Sequence, residues 1–228
     1  MAGSDPRPED DPGSFGESFA KAITRQVHEE LLAELAGERG ERGERRRRKD
    51  APSKPEGIVT IVFTDIEDSS GLVSRLGDQG ARDRVRRHDD VLREVARAND
   101  GVEIERAGDG FMIAFSTATK ALAFAVDLQR RISGAAADDG TAEHASLRVR
   151  VGMETGEVIA EEQGYFGRTV FQASRIADVA VGGQIVVSQA TRLIGSPSGL
   201  EFRDIGEHEL KGLGGQHRLY DVGWRDAS

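Results

Sequence analysis

Apolar positions in this chain fall into two spacings, and each implies a different element. From Ile58 the stretch "IVTIVFTDIEDSS" runs through apolar and β-branched residues into Asp65, then passes to Glu67, Asp68 and two serines. A short apolar run closed by polar residues reads as a buried strand, and this one ends on a carboxylate. Further upstream, Phe19, Ile23, Val27, Leu31 and Leu35 recur every fourth residue among charged neighbours, which is the spacing of one apolar helix face. A lone helix of that length is marginal in water, so its face is expected to pack on the domain or on a second copy.

The same patterning predicts helices over 69–97, a strand, turn and strand over 102–115, and a helix over 118–132. A strand pair over 147–160, a helix over 169–179, a short strand over 185–188 and a terminal strand pair over 202–222 follow. Strands alternating with helices, and tight hairpins between some strands, argue for an α+β fold whose sheet carries helices on one face. The opening β-α-β-β-α-β order is the ferredoxin-like arrangement, extended by a C-terminal β-α-β-β portion. Residues 1–15, rich in Pro, Gly and acid, are expected to be disordered; 16–37 form the amphipathic helix. Residues 38–56 alternate glycine with charge and end near two prolines, as a flexible linker does. The compact domain is expected over 57–224.

Charge narrows the function. Forty acidic residues against 31 basic ones give a net charge of −9, so the chain is poorly suited to coating a nucleic-acid backbone and no DNA partner is expected. A polyanionic ligand would be handled locally, by metals or a few arginines. The cluster from Arg45 to Lys49 has the charge to touch an anionic membrane or RNA, but a charge run in a linker reads as solvated. With no cysteine there is neither a disulfide framework nor a thiolate nucleophile, and zinc would depend on five histidines and carboxylates. No secretory leader and no apolar run of about 20 residues is seen, so a cytoplasmic protein is expected.

A second carboxylate gives Asp65 a context. "EIERAGDGFMIAF" places Asp109 at a turn between two strand-like runs, and in the order above this hairpin lies beside the strand ending at Asp65. Carboxylates on neighbouring strand ends can hold two divalent cations about 3.5–4 Å apart, an arrangement suited to in-line displacement at phosphorus. Read alone, the turn is an ordinary Asp-Gly hairpin tip. His88-Asp89 matches metal-phosphohydrolase dipeptides, but no second such cluster lies at a useful spacing, so it reads as a helix-surface pair.

The stretches "VFTDIEDSS", "RAGDGFMIAF", "LRVRVGMETGEV", "YFGRTVFQASRIADVAVGGQIVVS" and "ELKGLGGQHRLYDV" together resemble the class III nucleotidyl cyclase family, over essentially all of 57–224. The resemblance implies that Asp65 and Asp109, with the Ile66 carbonyl, bind two Mg²⁺ or Mn²⁺, and that Arg175 is the transition-state arginine. It makes Lys211 a candidate triphosphate contact, although a lysine before a glycine turn is equally a structural feature. It also implies a head-to-tail homodimer, in which one chain supplies the aspartates and its partner the base-contacting residues and Arg175.

Three positions depart from the adenylate cyclase pattern. Glu105 replaces a lysine, Gly164 replaces an aspartate, and Phe171 replaces the ribose-orienting asparagine. Guanine presents N1-H and N2-H donors side by side, which one carboxylate accepts together; adenine presents an N1 acceptor and an N6 donor. Glu105 with a small residue at 164 therefore favours GTP over ATP. Phe171 cannot donate to the ribose ring oxygen. The expected function is a two-metal purine nucleotidyl cyclase in intracellular signalling. The alternative is a catalytically silent cyclase-homology module that binds nucleotide or pairs with an active cyclase.

Overall fold

The computed structural model describes residues 54–138, 147–161 and 164–225. The expectations for 1–15, for the amphipathic helix at 16–37 and for the Arg45 to Lys49 cluster lie outside the described residues.

Strand β1 (Ile58–Ile66) is buried at every position but its first. It follows that it runs through the middle of the sheet. It pairs antiparallel with β3 (Gly110–Phe115) on one side and, over nine residues from Ile58↔Glu157 to Ile66↔Val149, with β4 (Val149–Glu157) on the other. Helix α1 (Ser69–Ala98) leads to β2 (Val102–Ala107), which pairs with β3, and α2 (Ala118–Asp138) leads from β3 to β4. The order β2-β3-β1-β4 is the ferredoxin-like core expected from the sequence. Helix α1 is two pieces joined at Gly77, whose φ of 69° and ψ of 170° belong to no helix.

Helices cover both faces of this sheet, which corrects the expectation of one covered face. On one face Leu92, Val95, Leu122 and Phe124 of α1 and α2 pack with Val62, Phe115 and Val151. On the other, Val170, Ala173 and Ala177 of α3 (Arg168–Val179) pack with Val59, Ile61, Phe63 and Met112. The physical reason is legible in β1 itself, whose near-continuous apolar run leaves no face for water. Helix α3 comes close at one point: a Cβ on Gly152 of β4 would lie 2.1 Å from the Ala177 backbone nitrogen.

Two further differences follow from pairing. The expected strand pair over 147–160 is the single strand β4, because its nine-residue ladder with β1 leaves no place for a turn. The chain then forms β5 (Ile159–Glu161) and β6 (Gly164–Phe166), a small hairpin separate from the main sheet. Beyond α3 the sheet is extended by β7 (Ile185–Ser188), β8 (Phe202–Glu209) and β9 (Gln216–Val222), to the order β2-β3-β1-β4-β7-β9-β8. A short helix α4 (Gln189–Gly195), absent from the sequence reading, starts where Ser188 accepts from the Thr191 amide.

Candidate functional site

Strand β1 delivers Asp65 opposite Arg150 of β4. Asp65 is only 4% exposed. Arg150 Nε donates to its Oδ2 at 2.6 Å, and Arg150 Nη2 reaches the same oxygen. The β2–β3 turn carries Asp109, and the Thr64↔Phe111 pairing sets that turn beside Asp65. Burial, then the charge of Asp109, push the Asp65 carboxyl from 3.8 up to about 6, while Arg150 pulls it down. Asp109 Oδ2 is buried without a hydrogen-bond partner.

Two carboxylates this close repel unless a proton or a cation stands between them. The orphaned Asp109 oxygen is the observation that fits a cation. Hard oxygen donors suit Mg²⁺ or Mn²⁺, and Mg²⁺ is commonly held by one or two carboxylates together with substrate phosphates. Among the described residues no group of three or more His, Cys, Asp or Glu is placed to hold a metal. Asp65 and Asp109 are the carboxylates set side by side here, and a cation held between them would take its remaining oxygens from backbone or ligand.

The turn that carries Asp109 is braced from below. Arg106 Nη2 meets Asp89 Oδ2 at 2.7 Å, Arg106 Nε donates to the Gly108 carbonyl at 3.1 Å, and the guanidinium lies 5.3 Å from the Phe111 ring centroid. His88 Nδ1 lies 3.3 Å from Asp89 Oδ1. Both His88 and Asp89 are buried, which corrects the reading of a helix-surface pair. An amphipathic count assigns charged residues to water; here Asp89 is inside because Arg106 supplies its counter-charge.

The other expected residues stand apart from this cluster. Glu105 lies on β2 in register with Met112, on the α3 face, and burial raises its pKa. Gly164 opens β6, and a Cβ there would meet nothing within 4 Å. Phe171 packs edge-on against Phe166, with ring centroids 5.6 Å apart. Arg175 is held by Asp178 at 3.1 Å. Lys211 is on the loop between β8 and β9, where residues 209–216 line a cavity of about 550 Å³. Since β4 opposes β1, β7 follows β4, β9 opposes β7 and β8 opposes β9, strand β8 ends where β1 begins. Lys211 is thus at the opposite end of the sheet from Asp65.

Arg150 was missed in the sequence. Its signal was a charged residue between buried Val149 and Val151. Only the β1–β4 register, which periodicity does not supply, shows that it faces Asp65.

Comparison with known proteins concerns the same stretch. The sequence model of the adenylate and guanylate cyclase catalytic domain matches residues 51–222. An uncharacterised protein of Mycobacterium tuberculosis (strain ATCC 25618 / H37Rv) is 34% identical over 164 residues, covering 70% of this chain and 53% of that protein. The adenylate cyclase of Lachancea kluyveri is 32% identical over 155 residues, covering 59% of this chain and 8% of its own. The chain spans about half the length of the mycobacterial relative and a small part of the fungal one. Among solved structures, an adenylate cyclase from Trypanosoma brucei in its monomeric state superposes with a TM-score of 0.63 at 28% identity, covering 76% of this chain and 93% of that one. The guanylate cyclase domain of a Catenaria anguillulae protein, solved in complex with GTP, has the same fold, with a TM-score of 0.62 at 22% identity over 75% of this chain and 98% of that one.

Proposed function

Because the chain belongs to the adenylate and guanylate cyclase catalytic domain family, we propose that it is a two-metal nucleotidyl cyclase that uses GTP in preference to ATP. The reaction joins the ribose 3′-oxygen to the α-phosphorus, breaks the bond from that phosphorus to the β-phosphate, and releases pyrophosphate and the hydroxyl proton. The observation that carries this reading is the Asp65–Asp109 pair, with one carboxylate oxygen buried and unpartnered. Two Mg²⁺ or Mn²⁺ bound by Asp65, Asp109 and the Ile66 carbonyl would supply Lewis acidity at the attacking hydroxyl and the departing phosphates.

The remaining work falls to fixed side chains. Arg106, anchored by Asp89, holds the Asp109 turn in place. Arg150 sets a guanidinium on Asp65, close to where a triphosphate would need positive charge. Arg175, oriented by Asp178, offers donors to the equatorial oxygens of the α-phosphate as charge builds on them. Glu105 accepts from guanine N1-H and N2-H, and the open space at Gly164 leaves that edge of the base unobstructed. Lys211 lies at the far end of the sheet from Asp65 within one chain, which supports a site completed head to tail by a second copy. No helix of the described residues is long and apolar enough to cross a membrane; a cytoplasmic location remains part of this proposal.

One observation favours a second reading, a catalytically silent module that binds nucleotide or pairs with an active cyclase. Phe171 packs on Phe166 and its phenyl ring has no donor to offer a ribose oxygen. Losing one orienting hydrogen bond costs about 1–3 kcal/mol, or about 5-fold to 150-fold in rate, which slows a cyclase without abolishing it. Incubating the protein with ATP, GTP, CTP or UTP in Mn²⁺, followed by mass detection of cyclic product, separates the readings. The cyclase reading requires cyclic GMP from the wild type and none from Asp65→Ala or Asp109→Ala. Absence of any cyclic product from the wild type would leave the silent module.

A further inference from the structure

The residues just ahead of β1 form a strap on the β5–β6 hairpin. Lys54 Nζ donates to the carbonyl of Glu161, the last residue of β5, at 2.6 Å, and to the carbonyl of Gly164, the first of β6. The same ammonium lies 4.6 Å from the centroid of the Tyr165 ring. Tyr165 in turn donates its hydroxyl to the Pro55 carbonyl. Its ring is packed with Val59, Met112 and Val170 and is 3% exposed.

A hairpin with three residues on each side does not hold its own position in water, and β5 is exposed throughout. Its place is set by what grips it, namely the Tyr165 ring in the core and the Lys54 ammonium on its backbone. Burial lowers the Lys54 pKa and the Glu161 charge opposes it, so the grip is a partly desolvated, charge-assisted one. That hairpin carries Gly164, and its Phe166 meets Phe171 on α3 edge-on. The strap leads the other way into β1, which is clamped by ladders on both sides and cannot yield. Of the two elements joined to the strap, the hairpin is the compliant one.

We infer that Lys54 is a positioning residue for the base and ribose end of the nucleotide site, acting through the β5–β6 hairpin on Gly164 and Phe171. Lys54 contacts neither Asp65 nor Asp109, so its effect falls on nucleotide binding through the hairpin and leaves the aspartate pair in place. The inference rests on the cyclase reading for the identity of the ligand.

The test uses the full chain with Lys54→Met, which keeps the apolar stem and removes the donors, and Lys54→Arg, which restores a cation. Two properties are measured: amide hydrogen exchange over 159–171 without nucleotide, and kcat and KM for GTP in Mn²⁺. Lys54→Met is expected to speed exchange in that segment by about 10-fold and to raise KM by about 5-fold to 20-fold, with kcat changed less than about 3-fold and Lys54→Arg close to wild type. Wild-type exchange in Lys54→Met would overturn the inference. So would faster exchange with an unchanged KM. Should the wild type form no cyclic product, the dissociation constant of N-methylanthraniloyl-GTP in Mn²⁺ replaces KM. In that case the cyclase reading fails, while a 5-fold weaker constant upholds the strap and an unchanged one rejects it.

Discussion

Glu154 is a buried carboxyl that the proposed chemistry does not use. Its Oε1 accepts from the Thr155 amide at 3.0 Å and the Ser188 hydroxyl at 2.9 Å, while Oε2 is buried and unpartnered. Burial pushes its pKa from 4.5 up to about 7, outweighing those bonds and the charge of Arg168. Below pH 4.5 both folded and unfolded chains hold the proton, and the contribution to stability is complete. Between 4.5 and about 7 the unfolded chain ionises while the folded one stays neutral, so stability falls as pH rises through this window. The loss is at most about 3 kcal/mol. Glu154→Gln should therefore unfold at a higher urea concentration than wild type at pH 8, by about 1–3 kcal/mol, and show little difference below pH 4.5. Equal stability of the two at pH 8 would mean that Glu154 is ionised without penalty. A second expectation at this scale concerns the base. Gly164 has room for a side chain, so Glu105→Lys with Gly164→Asp should fit and should shift the kcat/KM preference from GTP to ATP. A double variant that still favours GTP would show that Glu105 does not read the base. Asp65 and Asp109 were legible in the sequence because each closes or joins an apolar strand run. Arg150 and the Asp89–Arg106 brace were not, because both depend on which residues a strand faces.

Gly152 shows how the elements depend on one another. Its missing side chain lets α3 settle on β4, and an added Cβ would strike the Ala177 backbone rather than a yielding side-chain tip. Gly152→Ala should cost about 1–3 kcal/mol in denaturant unfolding, and the displaced α3 should carry Phe171 and Arg175 with it. Activity is then expected to fall beyond what the folded fraction explains. Full activity with unchanged stability would show that the helix yields freely. At this scale the apolar runs were sufficient to place β1, the β2–β3 hairpin and the core order. They did not place α3 on the second face, since a helical period says which side of a helix is buried but not which face of the sheet it meets. The β5–β6 hairpin was hidden by its exposure at Ile159 and Phe166, where no alternation marks a strand. Helix α4 has only two buried residues, Thr191 and Gly195, too few for a period.

The described residues place the candidate chemistry at three separate locations. Asp65, Asp109 and Arg150 gather at one end of the sheet, Lys211 projects from the other, and Glu105, Gly164, Phe171 and Arg175 belong to the α3 face. With a net charge of −9, the proposed binding of a triphosphate would need positive charge collected in one place. In the proposed head-to-tail dimer, a two-fold axis would bring the aspartate end of one copy to the Arg175 and Glu105 face of the other, and would yield two equivalent sites. The most direct measurement mixes Asp109→Ala with Arg175→Ala, each inactive alone, and follows cyclic GMP formation with heterodimer content measured in parallel. Random pairing makes half the dimers mixed, each with one intact site of two, so about a quarter of wild-type activity should return. A mixture that stays inactive although heterodimers have formed would contradict a site shared between two chains.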